Sequence, residues 1–136
     1  MGLKEKLENL VLKSNEDTIV LDNLLNEIND TDYNNKLIIT LLGVLERNPS
    51  FHFGMPGNIV RAIEKYYQQP SYEELIMQSI ERVPTEYNLW LLNRLLNSYK
   101  ADKDKERGVS LLRKIDAETT DENIKEIVQD FLSDYD

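Results

Sequence analysis

Few residues in this chain have types and spacings suited to chemistry. The stretch PSFHFGMPGN, residues 49–58, holds the only histidine, Ser50, two of the five glycines and two of the four prolines. A Ser–His or Cys–His centre needs a nucleophile held beside the imidazole. The chain has no cysteine. Ser50 lies two residues from His52, but in no Gly-x-Ser-x-Gly elbow and after no strand. GMPG lacks the glycine spacing and the lysine of a phosphate-binding loop. A single histidine without cysteine matches no helical metal pattern, so neither metal nor other cofactor is expected. The structural reading is simpler. Gly54 and Gly57 permit backbone conformations that a β-carbon forbids, and Pro56 pre-sets a first helical turn. Phe51 and Phe53 then pack a corner between helix pairs, with His52 at the surface.

Paired carboxylates are the other candidates: Glu73–Glu74, Asp121–Glu122 and Asp134 with Asp136. Acid–base pairs need environments that push their pKa values apart. All but the tail pair stand where helices begin, and helix starts attract acidic residues through capping and the macrodipole. No catalytic residue is assigned, and the chain is not expected to be an enzyme. Aromatic residues offer binding chemistry instead. Tyr66, Tyr67, Tyr72, Tyr87 and Trp90 cluster between 66 and 90. Adjacent Tyr66 and Tyr67 point in different directions on a helix, so one of them faces solvent or a partner.

The elements that position these residues read as helices throughout. Leu3, Leu7, Leu10 and Val11 share one face of a helix over 3–13. Leu21, Leu24, Leu25 and Ile28 mark a second, starting at Asn15 or Glu16. Asp30 or Thr31 is the expected cap of a third, running to about Arg47, whose apolar middle LIITLLGVL predicts a central, buried position. Asn48–Pro49 ends it. Pro56 opens a fourth helix with a stripe through Tyr67. Ser71 and Glu74 have the spacing of a capping box for a fifth. Thr85 caps a sixth, the charged run 101–107 starts a seventh, and Thr120 or Asp121 caps the last. No segment shows a convincing strand. Breaks every 14 to 18 residues make helix pairs of roughly 30–40 residues. The expected fold is all-α: about eight helices in antiparallel pairs, a HEAT-like α–α superhelix forming one domain over 1–136.

Charge narrows the partner. With 25 acidic and 16 basic residues the formal net charge is −9. That balance argues against nucleic-acid binding, which runs on Lys and Arg. It suits attraction to basic surfaces, or simply solubility. The N-terminus has no apolar h-region, and the longest apolar run, Leu37 to Leu45, is far too short to span a membrane. A cytoplasmic location is expected.

One pattern resembles a known class. F-G-x-P-G is formed by Phe53, Gly54, Pro56 and Gly57. Y-E-E-x-x-x-x-S-I-x-R-x-P-T runs from Tyr72, Glu73 and Glu74 through Ser79, Ile80 and Arg82 to Pro84 and Thr85. W-x-L-N-R is Trp90, Leu92, Asn93 and Arg94. Together, over about a third of the chain, these resemble small helical immunity proteins of bacterial polymorphic toxin systems, which protect the producing cell by binding the toxin domain. The resemblance implies a non-enzymatic protein whose ligand is a cognate toxin domain, often a basic nuclease. An acidic partner can occlude such a cleft. Glu64, Tyr67, Glu73, Glu74 and Glu86 are the expected interface. Trp90, Asn93 and Arg94 are expected to form a semi-buried polar network capping neighbouring helix ends. The alternative is a helical-repeat scaffold for protein–protein interaction with no toxin partner.

Overall fold

The computed structural model describes residues 2–54 and 57–135. Pro56 and Asp136 lie outside them. The described residues form eight α-helices and one 3-10 turn: α1 (Leu3–Glu8), α2 (Asn15–Asn26), the turn Asp30–Asp32, α3 (Asn35–Arg47), α4 (Asn58–Glu64), α5 (Tyr72–Arg82), α6 (Glu86–Ser98), α7 (Asp102–Glu118) and α8 (Glu122–Leu132). No strand occurs among them.

Each helix packs on a chain neighbour, and all but α7 also pack closely on the helix two places away. The pairs are α1–α2, α3–α4, α5–α6 and α7–α8. Contacts α1–α3 and α3–α5 build one layer, while α2–α4, α4–α6 and α6–α8 build the other. This is the expected superhelical stack of helix pairs. α3 lies at its centre, touching α1, α4, α5 and α6. Ile38, Leu41, Leu42, Val44 and Leu45 are completely buried there, as the apolar run requires, although Ile39 faces outward.

The end of α1 and the start of α3 depart from the sequence reading, and both departures have the same cause. α1 stops at Glu8, leaving Val11 exposed. The Asp17 carboxylate accepts the N–H groups of Lys13 (2.6 Å) and Ser14 (3.0 Å), which fixes the chain in a non-helical entry to α2. The same backbone bonds hold the Asp17 carboxyl below its ordinary pKa. Asp32 likewise folds back on the Asn29 N–H at 2.8 Å. Residues 30–32 therefore form a tight turn, and Asn34, not Asp30 or Thr31, caps α3 by accepting the Leu37 N–H at 2.9 Å. Short Asp and Asn side chains compete for backbone donors wherever they stand, and the reach-back bond wins over helix continuation here. Arg47 then donates to the Leu7 carbonyl at 3.1 Å, occupying one of the acceptors left open at the end of α1.

Ser71 and Glu74 do not form the capping box their spacing suggests. Ser71 has helical backbone angles and its hydroxyl donates to Asn35 Oδ1 at 2.7 Å. Glu74 turns outward to Arg107 of α7 at 2.6 Å. Thr85 and Asp121 cap as expected. The Thr85 hydroxyl accepts from the Asn88 N–H, and Asp121 Oδ1 accepts from Asn123 and Ile124.

Among the described residues, 49–54 turn back onto α6, the corner that the composition of this stretch predicts. Phe53 is buried with its ring edge-on to Tyr87 of α6 at 5.1 Å and to Phe51 at 5.0 Å. The Phe53 N–H donates to the Tyr87 hydroxyl at 2.8 Å. Gly54 has φ +92°, a region that L side chains rarely adopt. A β-carbon at Gly57 would collide with the Phe53 carbonyl.

Candidate functional site

The sequence-derived site residues fall into three places. Glu64, Tyr67 and Arg94 meet at a groove between α4 and α6. Glu73 and Glu74 stand at the start of α5, where α7 approaches. Glu86 lies at the start of α6, beside the His52 corner.

The groove has a volume of about 380 Å³. Tyr72, Leu91 and Leu95, all buried, form its floor. α4 is short, and after Glu64 the chain continues in tight turns with Tyr66 and Tyr67 bonded back to Ile63 and Glu64. Gln69–Pro70 then leads to α5. These turns, rather than the helix continuation expected through Tyr67, splay the two tyrosines apart. Tyr66 turns inward, its hydroxyl 2.6 Å from Asn35 Oδ1 and its ring stacked near Tyr33. Tyr67 is 55% exposed at the groove wall. Arg94 crosses from α6 to Glu64 at 2.7 Å, and its guanidinium lies 4.8 Å from the Trp90 ring centre. Arg94 is exposed and ties α6 to Glu64 of α4 at the rim, whereas Asn93 is half-buried and its Oδ1 has no hydrogen-bond partner among the described residues, so the two do not form the expected capping network. Burial pushes the Tyr72 hydroxyl well above the ordinary phenol range, Glu64 adds to this, and Arg94 opposes it.

At the second place, burial raises the Glu73 carboxyl, Arg107 opposes, and Glu74 and Asp104 reinforce the rise. Tyr99 beside Glu73 also favours the charged carboxylate, though less than burial disfavours it. Glu74 is engaged by Arg107, so this acidic pair braces α5 against α7.

At the third place, a cleft of about 360 Å³ joins three turns of the stack. It gathers Ser50, His52, Glu86 and Asp121. Among the described residues neither the Ser50 nor the His52 side chain makes a hydrogen bond, and Asp121 is occupied as the cap of α8. Among the described residues no group of three or more His, Asp or Glu is placed to hold a metal ion.

The sequence reading missed a polar network inside the stack. Glu46 of α3 accepts from both Arg82 Nε and Nη2 at 2.9 Å, and from the Ser79 hydroxyl at 2.8 Å. Asn88 donates to Ser79 at 3.0 Å and to the Val83 carbonyl at 2.9 Å, and accepts the Thr85 N–H at 2.8 Å. Ser79 and Asn88 are fully buried. The network was foreseen around Asn93 and Arg94. The available signal was Thr85-x-x-Asn88, a capping spacing with amide in place of carboxylate.

No family model, curated protein or solved structure matches this chain. No helix among the described residues is long and apolar enough to cross a membrane.

Proposed function

We propose that this chain acts by binding another protein, and specifically that it is an immunity protein that neutralises a cognate toxin domain in the cytoplasm. The observation that supports the reading is the α4–α6 groove. An exposed tyrosine and an arginine, the latter stacked on Trp90, border an apolar floor, and these are residue types that concentrate binding energy at interfaces. The Glu64–Arg94 bridge and the Arg94–Trp90 stack hold the wall in place before a partner arrives, which lowers the ordering cost of association. A net charge of −9 favours a basic partner such as a nuclease and adds to the association rate.

Co-expression with the toxin domain encoded immediately upstream tests the reading, scored by growth rescue and co-purification. Among the described residues the Tyr67 hydroxyl bonds only to neighbouring Gln68, so the fold should survive Tyr67→Ala. The expected result is rescue by the unaltered chain, with affinity reduced about 30-fold in the variant, the equivalent of about 2 kcal/mol. Association should also weaken as salt rises. Co-purification without rescue would favour the scaffold reading, and absence of both would end the toxin assignment.

A further inference from the structure

The α4–α6 groove is opposite in sign to the rest of the molecule. The chain carries 25 acidic residues against 16 basic ones, yet the groove presents Arg61, Lys65 and Arg94 against one carboxylate, Glu64. Glu64 is engaged by Arg94 at 2.7 Å. Among the described residues the Arg61 and Lys65 side chains have no ion-pair or hydrogen-bond partner. They stand one turn apart on the same side of α4, where like charges repel. The negative end of the α4 dipole tolerates cations there. It does not account for a third cation arriving from α6, nor for the apolar floor beneath all three.

A cationic rim over an apolar floor fits an amphipathic anionic segment. With Debye screening at about 8 Å in physiological salt, the nearby cations govern contact at the rim, and the distant acids govern only the approach. We propose that the groove takes an acidic segment of a protein partner. One apolar anchor side chain seats on Leu91 and Leu95, and flanking carboxylates pair with Arg61 and Lys65. This rests on the protein-binding reading above and specifies the chemistry of the segment recognised at that site. At the groove it reverses the charge sense that the net charge implies.

The test is an NMR titration of the ¹⁵N-labelled full chain with three acetylated peptides. The first has Phe-Leu flanked by two glutamates on each side. The second replaces the glutamates with lysines, and the third replaces Phe-Leu with Ala-Ala. The acidic apolar peptide should saturate, moving the amide resonances of Tyr67, Leu91 and Leu95. Arg61→Glu combined with Lys65→Glu should weaken it at least tenfold, the scale of removing rim charge complementarity. Arg61→Gln with Lys65→Gln serves if the charge reversal disturbs the circular dichroism spectrum. Equal or tighter binding of the lysine or Ala-Ala peptide, shifts confined to another surface, or no saturation at millimolar peptide would overturn the proposal. Growth rescue separates the two readings. Rescue with a failed titration removes this inference alone, whereas a groove-localised titration without rescue removes only the toxin assignment.

Discussion

Single residues carry separable tasks in this fold, and Tyr87 shows it most directly. It is 2% exposed, and it meets Phe53 both through its ring edge and through its hydroxyl. Tyr87→Phe keeps the ring contact and deletes only the acceptor, leaving the buried Phe53 N–H unpaired. The expected cost is about 1–3 kcal/mol in a urea titration. A neutral result would mean that phenylalanine packing alone fixes the corner. Glu73 makes the opposite kind of prediction. Its carboxyl is raised by burial, so the folded state holds the proton more tightly than the unfolded chain does. Stability is therefore lost as pH rises from the ordinary carboxylate range through the raised folded value. Glu73→Gln should raise the denaturation midpoint at pH 7, and the gain should vanish in acid, where Glu73 is neutral in both states. An unchanged or lowered midpoint at pH 7 would show that Arg107 and Tyr99 outweigh burial.

Between elements, partner choice is decided by competition that no local pattern reveals. Pro and Gly breaks are local chemistry, so the starts of α4 to α8 were legible to within a residue or two, and so was the divergence of Tyr66 and Tyr67, though not which of them faces outward. Ser71-x-x-Glu74 satisfied the capping rule better than Thr85-x-x-Asn88, but only the second forms a box. Glu74 has Arg107, 33 residues on, as a stronger partner than a backbone N–H at a solvated helix start. The same blindness hid the Glu46–Ser79–Asn88 network, because it needs three helices in register before its members meet. Asn88→Ala removes the bond to the Thr85 N–H together with the donors to Ser79 and Val83. The expected loss is about 2–4 kcal/mol, more than a simple cap deletion. Glu46 and Asn88 share no direct hydrogen bond, yet both bind Ser79. A double-mutant cycle with Glu46→Ala should thus give a coupling of about 0.5–1 kcal/mol or more. Additive effects would mean that Ser79 does not transmit between them.

At the scale of the whole chain, stability follows from a stack in which each helix pair leans on its neighbours. α3 and α6 touch helices on several sides, whereas α1 is six residues long and α2 buries only Leu21 and Leu24. α2 also leaves Ile19 and Val20 exposed, so its share of the core is small. The energy of opening a segment scales with the buried apolar contacts it must give up. The N-terminal pair should therefore open without the rest, while α3 and α6 exchange only when the stack comes apart. Amide hydrogen exchange read by mass spectrometry should find α1 and α2 least protected and α3 and α6 most. This order also bears on the groove, whose walls come from α4 and α6. If fraying of α2 exposes α4, the short wall helix loses its outer support while α6 keeps its own. Binding at the groove should then slow exchange in α4 more than in α6. Uniform protection across all eight helices would instead mark one cooperative unit, and would remove the reason to expect that asymmetry.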